Sequence, residues 1–157
     1  MSKYENAMAV MEELFSKDCT FALATSNDTR PSVRMIDTYY ENGSFYVVTY
    51  AGSGKVKDLE VNNKVALCSM GYRFEGSAFV IGHPLDPENS RIRETLIQVF
   101  EPWYFKHNNE KDEAMCYVKI DLESGFFYKD GTGYKVDYVN RTAETFPFVF
   151  DIVLPED

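Results

Sequence analysis

The spacing of apolar residues changes character at Lys17-Asp18. Before that point Tyr4, Met8, Met11, Leu14 and Phe15 recur at helical period, and Ser2 and Glu5 stand at capping-box spacing, which predicts an N-terminal helix. After it the pattern is that of strands. Cys19 to Ser26 is an apolar, β-prone run that ends in the turn signal Asn27-Asp28. Ser32 to Tyr40 and Ser44 to Tyr50 form two more runs, joined by Glu41-Asn42-Gly43, where glycine suits a hairpin turn. The sheet therefore begins as an antiparallel meander. Ala51-Gly52-Ser53-Gly54-Lys55 then leads into a short amphipathic helix to about Val61.

Further strands are predicted over Lys64 to Met70 and Ser77 to Gly82. Asp86-Pro87 has the form of a cap followed by proline at the first helical position. The helix it opens runs to about Phe100 with Ile92, Leu96, Val99 and Phe100 inward, and Pro102 and the polar run from Asn108 to Lys111 end it. Met115 to Leu122, Phe126 to Lys129 and Tyr134 to Tyr138 read as late strands, with Asp130-Gly131 as a turn and Pro147 to Leu154 as a tail. Many strands on short turns, with few helices, make the class mainly β with flanking helices (α+β), a barrel or sandwich rather than a parallel sheet. No linker or repeat divides residues 1–157, so one domain is expected.

Composition sharpens this picture. Aromatic residues make up 15% of the chain, which suits strands and leaves apolar surface for a ligand or a second subunit. The formal net charge of −9 repels nucleic acid and anionic membrane, so any bound anion must be held by a local cluster of donors. The first residues, Met1-Ser2-Lys3-Tyr4-Glu5, open no signal-peptide-like run, and no stretch reaches the roughly 20 apolar residues of a membrane span. Cys19, Cys68 and Cys116 each lie in an apolar stretch, which reads as three buried thiols in a reducing cytoplasm. With no CxxC and only His83 and His107, no zinc site is expected.

The informative chemistry lies between Arg34 and Lys55. Gly52-Ser53-Gly54-Lys55 joins a strand to a helix, where free backbone N–H groups, a hydroxyl and an ammonium are able to hold a phosphate. A nucleotide P-loop is a poor match, because Thr49 stands where its first glycine belongs and Val56 where its Ser or Thr belongs. The bland alternative is a strand–helix turn with a solvated lysine. Arg34, inside a strand and on one face with Ser32 and Ile36, needs an anion, whether a ligand or one of the 25 acids.

Arg34-Met35-Ile36, then Val48-Thr49 at a strand end, then Ser53-Gly54-Lys55 opening a helix, resembles the pyridoxamine 5′-phosphate oxidase-like proteins. Leu59 to Leu67 and Gly76 to Gly82 continue the likeness, which covers about residues 7–83 and is greatest for the short general stress protein 26 and nitroimidazole-resistance-like members. The resemblance implies a split β-barrel that binds FMN in a cleft shared by a homodimer. It implies that Arg34, Ser53 and Lys55 hold the phosphate, with Thr49 adding a hydroxyl. Met35 and Ile36 would lie along the isoalloxazine ring, and Ser77 would take the place of a polar flavin-contacting residue. Two departures stand out. Gly54 replaces a second basic residue, which implies a weaker hold on phosphate, and the family's C-terminal Arg/His substrate motif is missing, which argues against vitamin B6 oxidation.

Other residues keep two readings each. His83 is a substrate contact or a polar loop residue, and Asp37 a general base or a solvated carboxylate. Trp103, Tyr104 and Phe105 cover a flavin edge, meet a second subunit or pack the core, while Tyr128, Tyr134 and Tyr138 are expected to pack the barrel. No catalytic triad or carboxylate pair stands out, as suits a protein whose cofactor carries the redox step. The sequence thus points to an FMN-dependent oxidoreductase acting on an unknown small molecule with an unknown electron donor. The rivals are a flavin binder or sensor without turnover and a split barrel using haem or a deazaflavin.

Overall fold

The computed structural model describes residues 1–150. Helix α1 (Lys3–Phe15) is followed by strands β1 (Cys19–Ser26), β2 (Pro31–Glu41) and β3 (Ser44–Tyr50), helix α2 (Gly54–Val61), and strands β4 (Lys64–Ser69) and β5 (Tyr72–Gly82). A 3-10 turn (Pro87–Asn89), α3 (Ser90–Val99) and α4 (Tyr104–His107) precede β6 (Met115–Lys129), β7 (Thr132–Asp137) and β8 (Thr142–Pro147). All strand pairs are antiparallel, in the order β3-β2-β1-β4-β5-β6-β7-β8. A further pairing of β3 with β6, from Ser44↔Asp121 to Tyr50↔Met115, closes six strands into a barrel. Strands β7 and β8 continue the sheet beyond it.

Period-2 alternation fills the barrel with aromatic rings. Phe45 sits 5.2–6.0 Å from Phe15, Phe21, Tyr40 and Phe74, centroid to centroid. Helix α1 stoppers one end with Ala7, Met11 and Phe15, its start capped by Ser2 Oγ accepting from the Glu5 N–H at 3.0 Å. Helix α2 adds Val56 and Leu59 to the same core and packs on β1 and β5.

The outward faces of β3 and β6 carry a second cluster. Tyr46, Met115 and Tyr117 pack there against Ile92, Leu96, Phe100 and Tyr104 of the helical segment. The hydroxyls of Tyr104 and Tyr117 meet at 2.5 Å. Burial pushes Tyr104 up to about 12, and Glu110 is held below the usual carboxylate range by hydrogen bonds from Arg93. A bidentate Arg93–Glu110 pair at 2.6–2.7 Å ties α3 to the segment after α4.

Several expectations need correction. Strand β5 starts at Tyr72, not Ser77, because Met70-Gly71 forms a tight turn with φ of +51° and +84°. A methionine in the left-handed region gives no turn signal in sequence. Strand β6 is continuous through Glu123-Ser124, bending at a register shift opposite Glu75 and Gly76. A Cβ on Gly76 would lie 2.3 Å from the Asp121 carbonyl oxygen, so glycine is required for this approach. Strand β8, Thr142–Pro147, was not expected and ends where the expected tail begins, and residues 151–154 of that tail lie outside the described residues. Only Cys116 is a fully buried thiol. Cys19 is half-buried, and Cys68 is exposed because alternation turns it outward beside Leu67. Tyr138 packs in the barrel and Tyr134 against it, but Tyr128 lies on the outside, stacked on Tyr72 at 4.6 Å.

Candidate functional site

Strands β2 and β3 pair only over Tyr39–Glu41 and Ser44–Tyr46, then part, since β3 follows β6. The residues that matter lie in this split. Arg34 is on β2, five residues before the last shared pair, and its side chain points to the inner face with Ile36 and Thr38. Thr49, only 4% exposed, points inward from β3. Lys55, in the first turn of α2, donates from Nζ to Thr49 Oγ1 at 2.8 Å, and Thr49 Oγ1 lies 3.4 Å from Ser53 Oγ. Ser53 caps α2, accepting from the Val56 N–H at 3.4 Å. The first-turn N–H groups of Gly54 and Lys55 are left without an intrahelical acceptor.

The two cations feel one another. Burial is the first cause that lowers the Lys55 pKa, and the Arg34 charge is the second. Among the described residues Lys55 has no carboxylate partner, whereas Arg34 lies 3.8 Å from Asp58. The Cys116 thiol, opposite Thr49 in the β3–β6 pairing, is pushed up by burial and drawn down by Lys55. Gly52 and Gly54 do not have positive φ. A Cβ at either would meet nothing within 4 Å, so the space over the start of α2 is open. Two half-buried cations, two hydroxyls and an uncovered helix start fit a terminal phosphate by charge, donor set and room.

The other expected residues are placed differently. Met35 is 64% exposed on the outer face of β2, and the Ile36 side chain is in the barrel core, which leaves only its backbone for a ligand. Val48 points outward into the helical cluster. Ser77 is not part of the split in this chain. Its hydroxyl donates to Glu123 at 2.8 Å and accepts from Lys64 Nζ at 2.8 Å. His83 is engaged at both ring nitrogens: Nδ1 accepts from the Leu85 N–H and Nε2 meets the Asp112 carbonyl, each at 3.0 Å. Trp103 stacks on Phe100 and donates to Asp18, Tyr104 is buried, and Phe105 is 59% exposed. The Asp37 carboxyl is raised first by burial and then by Asp18. Thr25 and Asp58, which contact Arg34, had no motif to mark them in sequence; Thr25 was legible only as an inward position of β1.

Fold and site together define a split barrel with a cationic cluster at its split. The chain belongs to the pyridoxamine 5′-phosphate oxidase family, whose model matches residues 8–127. No curated protein matches it. Among solved structures it is similar to general stress protein 26 from Bacillus anthracis (20% identity, TM-score 0.54), with 80% of this chain and 93% of that one covered. It is also similar to a pyridoxamine 5′-phosphate oxidase-related, FMN-binding protein from Nostoc punctiforme (11% identity, TM-score 0.56, 95% and 98% covered). A third is the haem storage protein HutZ from Vibrio cholerae (15% identity, TM-score 0.60, 82% and 96% covered). At these identities the likeness is one of fold.

Proposed function

We propose that this chain binds FMN with its terminal phosphate at Arg34, Lys55, Thr49 and Ser53, and serves as an FMN-dependent oxidoreductase for a small molecule. The observation that carries this reading is the pair of half-buried cations at the split, set against a net charge of −9. Lys55 supplies a point charge and Arg34 a planar donor group, while the Thr49 and Ser53 hydroxyls turn to suit a phosphate oxygen. Met35 and the Ile36 backbone would then be the β2 groups available to the flavin ring. FMN, when bound, supplies hydride transfer between a reduced donor and an acceptor. Anaerobic addition of reduced nicotinamide to the FMN-loaded protein is expected to bleach the flavin, with recovery when an acceptor is added. A flavin that stays oxidised with every donor tried identifies a binder without turnover.

The same reading includes a homodimer. Between Pro31 and Thr38 the edge of β2 away from β1 has no strand partner among the described residues, and Val33 and Met35 are 69% and 64% exposed beside it. One chain therefore offers the flavin ring a floor but no second wall, and a second copy would supply one. Val33 also borders a largely apolar groove of about 1350 Å³ that runs from β1 and β4 across β5 and β6 to β7 and β8, which extends that surface. Binding at a shared site stabilises the dimer by linkage. Sedimentation velocity over a dilution series should show FMN shifting the protein toward dimer, and Met35→Asp should oppose the shift. A monomer that keeps FMN at full affinity contradicts the shared site.

A further inference from the structure

Arg34 and Lys55 are not equivalent cations. Arg34 Nη1 donates to Thr25 Oγ1 at 2.6 Å and to the Leu23 carbonyl at 3.3 Å, and Nη2 lies 3.8 Å from Asp58 Oδ2. The Thr25 hydroxyl, while accepting from Arg34, donates its own proton to Asp58 Oδ2 at 2.7 Å. The bonds therefore run in one direction, from guanidinium to hydroxyl to carboxylate. Thr25 is 2% exposed, and the Asp58 and Arg34 side chains are 13% and 25% exposed, so water screens the arrangement only in part. Lys55 is held by the Thr49 hydroxyl, with no carboxylate partner among the described residues.

The two contacts act on an incoming anion in different ways. Thr25 is neutral, so it fixes where the guanidinium sits without changing the charge that a ligand meets. Asp58 carries a negative charge beside Arg34, so a phosphate at the split meets two cations and one anion. On the phosphate reading given above, we propose that Thr25 is the positioning residue for Arg34 and that Asp58 attenuates it. The opposing charge of Asp58 makes the flavin exchangeable, a ligand taken up and released rather than permanently held, while Thr25 keeps Arg34 in place to receive it. A dianionic phosphate would then be only partly neutralised, by a net charge of about +1 from these side chains, with hydroxyls and backbone N–H groups completing the hold.

The two roles predict effects of opposite sign. Asp58→Asn keeps the shape and an oxygen to accept from Thr25, and Arg34 keeps Thr25 and Leu23. Only the opposing charge is lost, so FMN should bind about tenfold more tightly, mostly through slower release. Thr25→Val keeps a β-branched side chain of similar size on β1 but removes the shortest Arg34 contact, so FMN should bind about tenfold more weakly. Thr25→Ser retains the hydroxyl and should restore wild-type affinity. Riboflavin, which has no phosphate, should bind all three variants as it binds wild type.

Quenching of flavin fluorescence gives these affinities, stopped-flow displacement gives the release rates, and inorganic phosphate serves as an independent competitor. General damage to the site weakens FMN in both Asp58→Asn and Thr25→Val, and it moves riboflavin as well. If Asp58→Asn leaves FMN affinity unchanged or lowers it while Lys55→Ala still weakens FMN selectively, attenuation is wrong and the phosphate reading stands. If wild type does not distinguish FMN from riboflavin, the phosphate reading fails and this inference fails with it.

Discussion

Removing both cations, in Arg34→Ala/Lys55→Ala, is expected to weaken FMN binding by about 10²- to 10⁴-fold, with riboflavin unaffected. Each charge-assisted contact to phosphate contributes about 1.5–3 kcal/mol, so each single variant should lose about 10- to 150-fold. The double variant should fall somewhat short of the product, because the two cations repel one another in the free protein and each is relieved when the other is removed. Circular dichroism should show an intact fold, since neither side chain belongs to the buried apolar core. The cluster also gives binding a pH dependence. Burial and Arg34 lower the Lys55 pKa, so its charge is lost at lower pH than in a free lysine. The phosphate needs the charged form. Affinity for FMN should therefore fall as pH rises through this lowered pKa, and binding should take up protons there. Lys55→Ala should remove that part of the dependence, and equilibrium titrations over about pH 7–10 provide the check.

The largest effect on stability is expected at Phe45. Its ring is fully buried where strand β3 faces α1, β1, β2 and β5, in contact with Phe15, Phe21, Tyr40 and Phe74. Phe45→Ala leaves a cavity that four other rings cannot fill without leaving their own edge-to-face contacts, which should cost about 3–5 kcal/mol. That is a large part of the roughly 5–15 kcal/mol available to a domain. Because β3 also forms one side of the split, flavin affinity should drop in the same variant. Phe105→Ala is the control: its ring is 59% exposed, and little change in the urea midpoint is expected.

Much of the fold could be read from local pattern, and what could not depends on long-range closure. Cys19–Ser26 alternates between buried and less buried positions, Ser44–Tyr50 is a nearly continuous apolar run, and the limits of both are those expected. The first half of β5 is not legible in the sequence, because the turn before it opens on Met70, where asparagine or glycine would give a signal. Strand β6 looked like two strands because Glu123-Ser124 is polar, yet those residues face outward and the backbone carries on to pair with β7. The closing contact of the barrel, β3 with β6, joins segments about 70 residues apart, and no local pattern specifies it. At the site, a resemblance pointed to Arg34, Thr49, Ser53 and Lys55, and the structure brings them into one cluster. It does not bring Ser77 there, and it turns Val48 away. Asp58 carries no signal in the sequence, because one acid in an amphipathic helix looks like any other solvated charge until the helix is docked.

The central claim is that this barrel recognises a flavin through its terminal phosphate. The most direct measurement is calorimetric titration of the wild-type apo-protein with FMN and with riboflavin at one salt concentration. The phosphate site should make FMN tighter by at least about 100-fold, and this advantage should shrink as ionic strength rises. Equal affinity for the two flavins, unaffected by salt, would contradict the account.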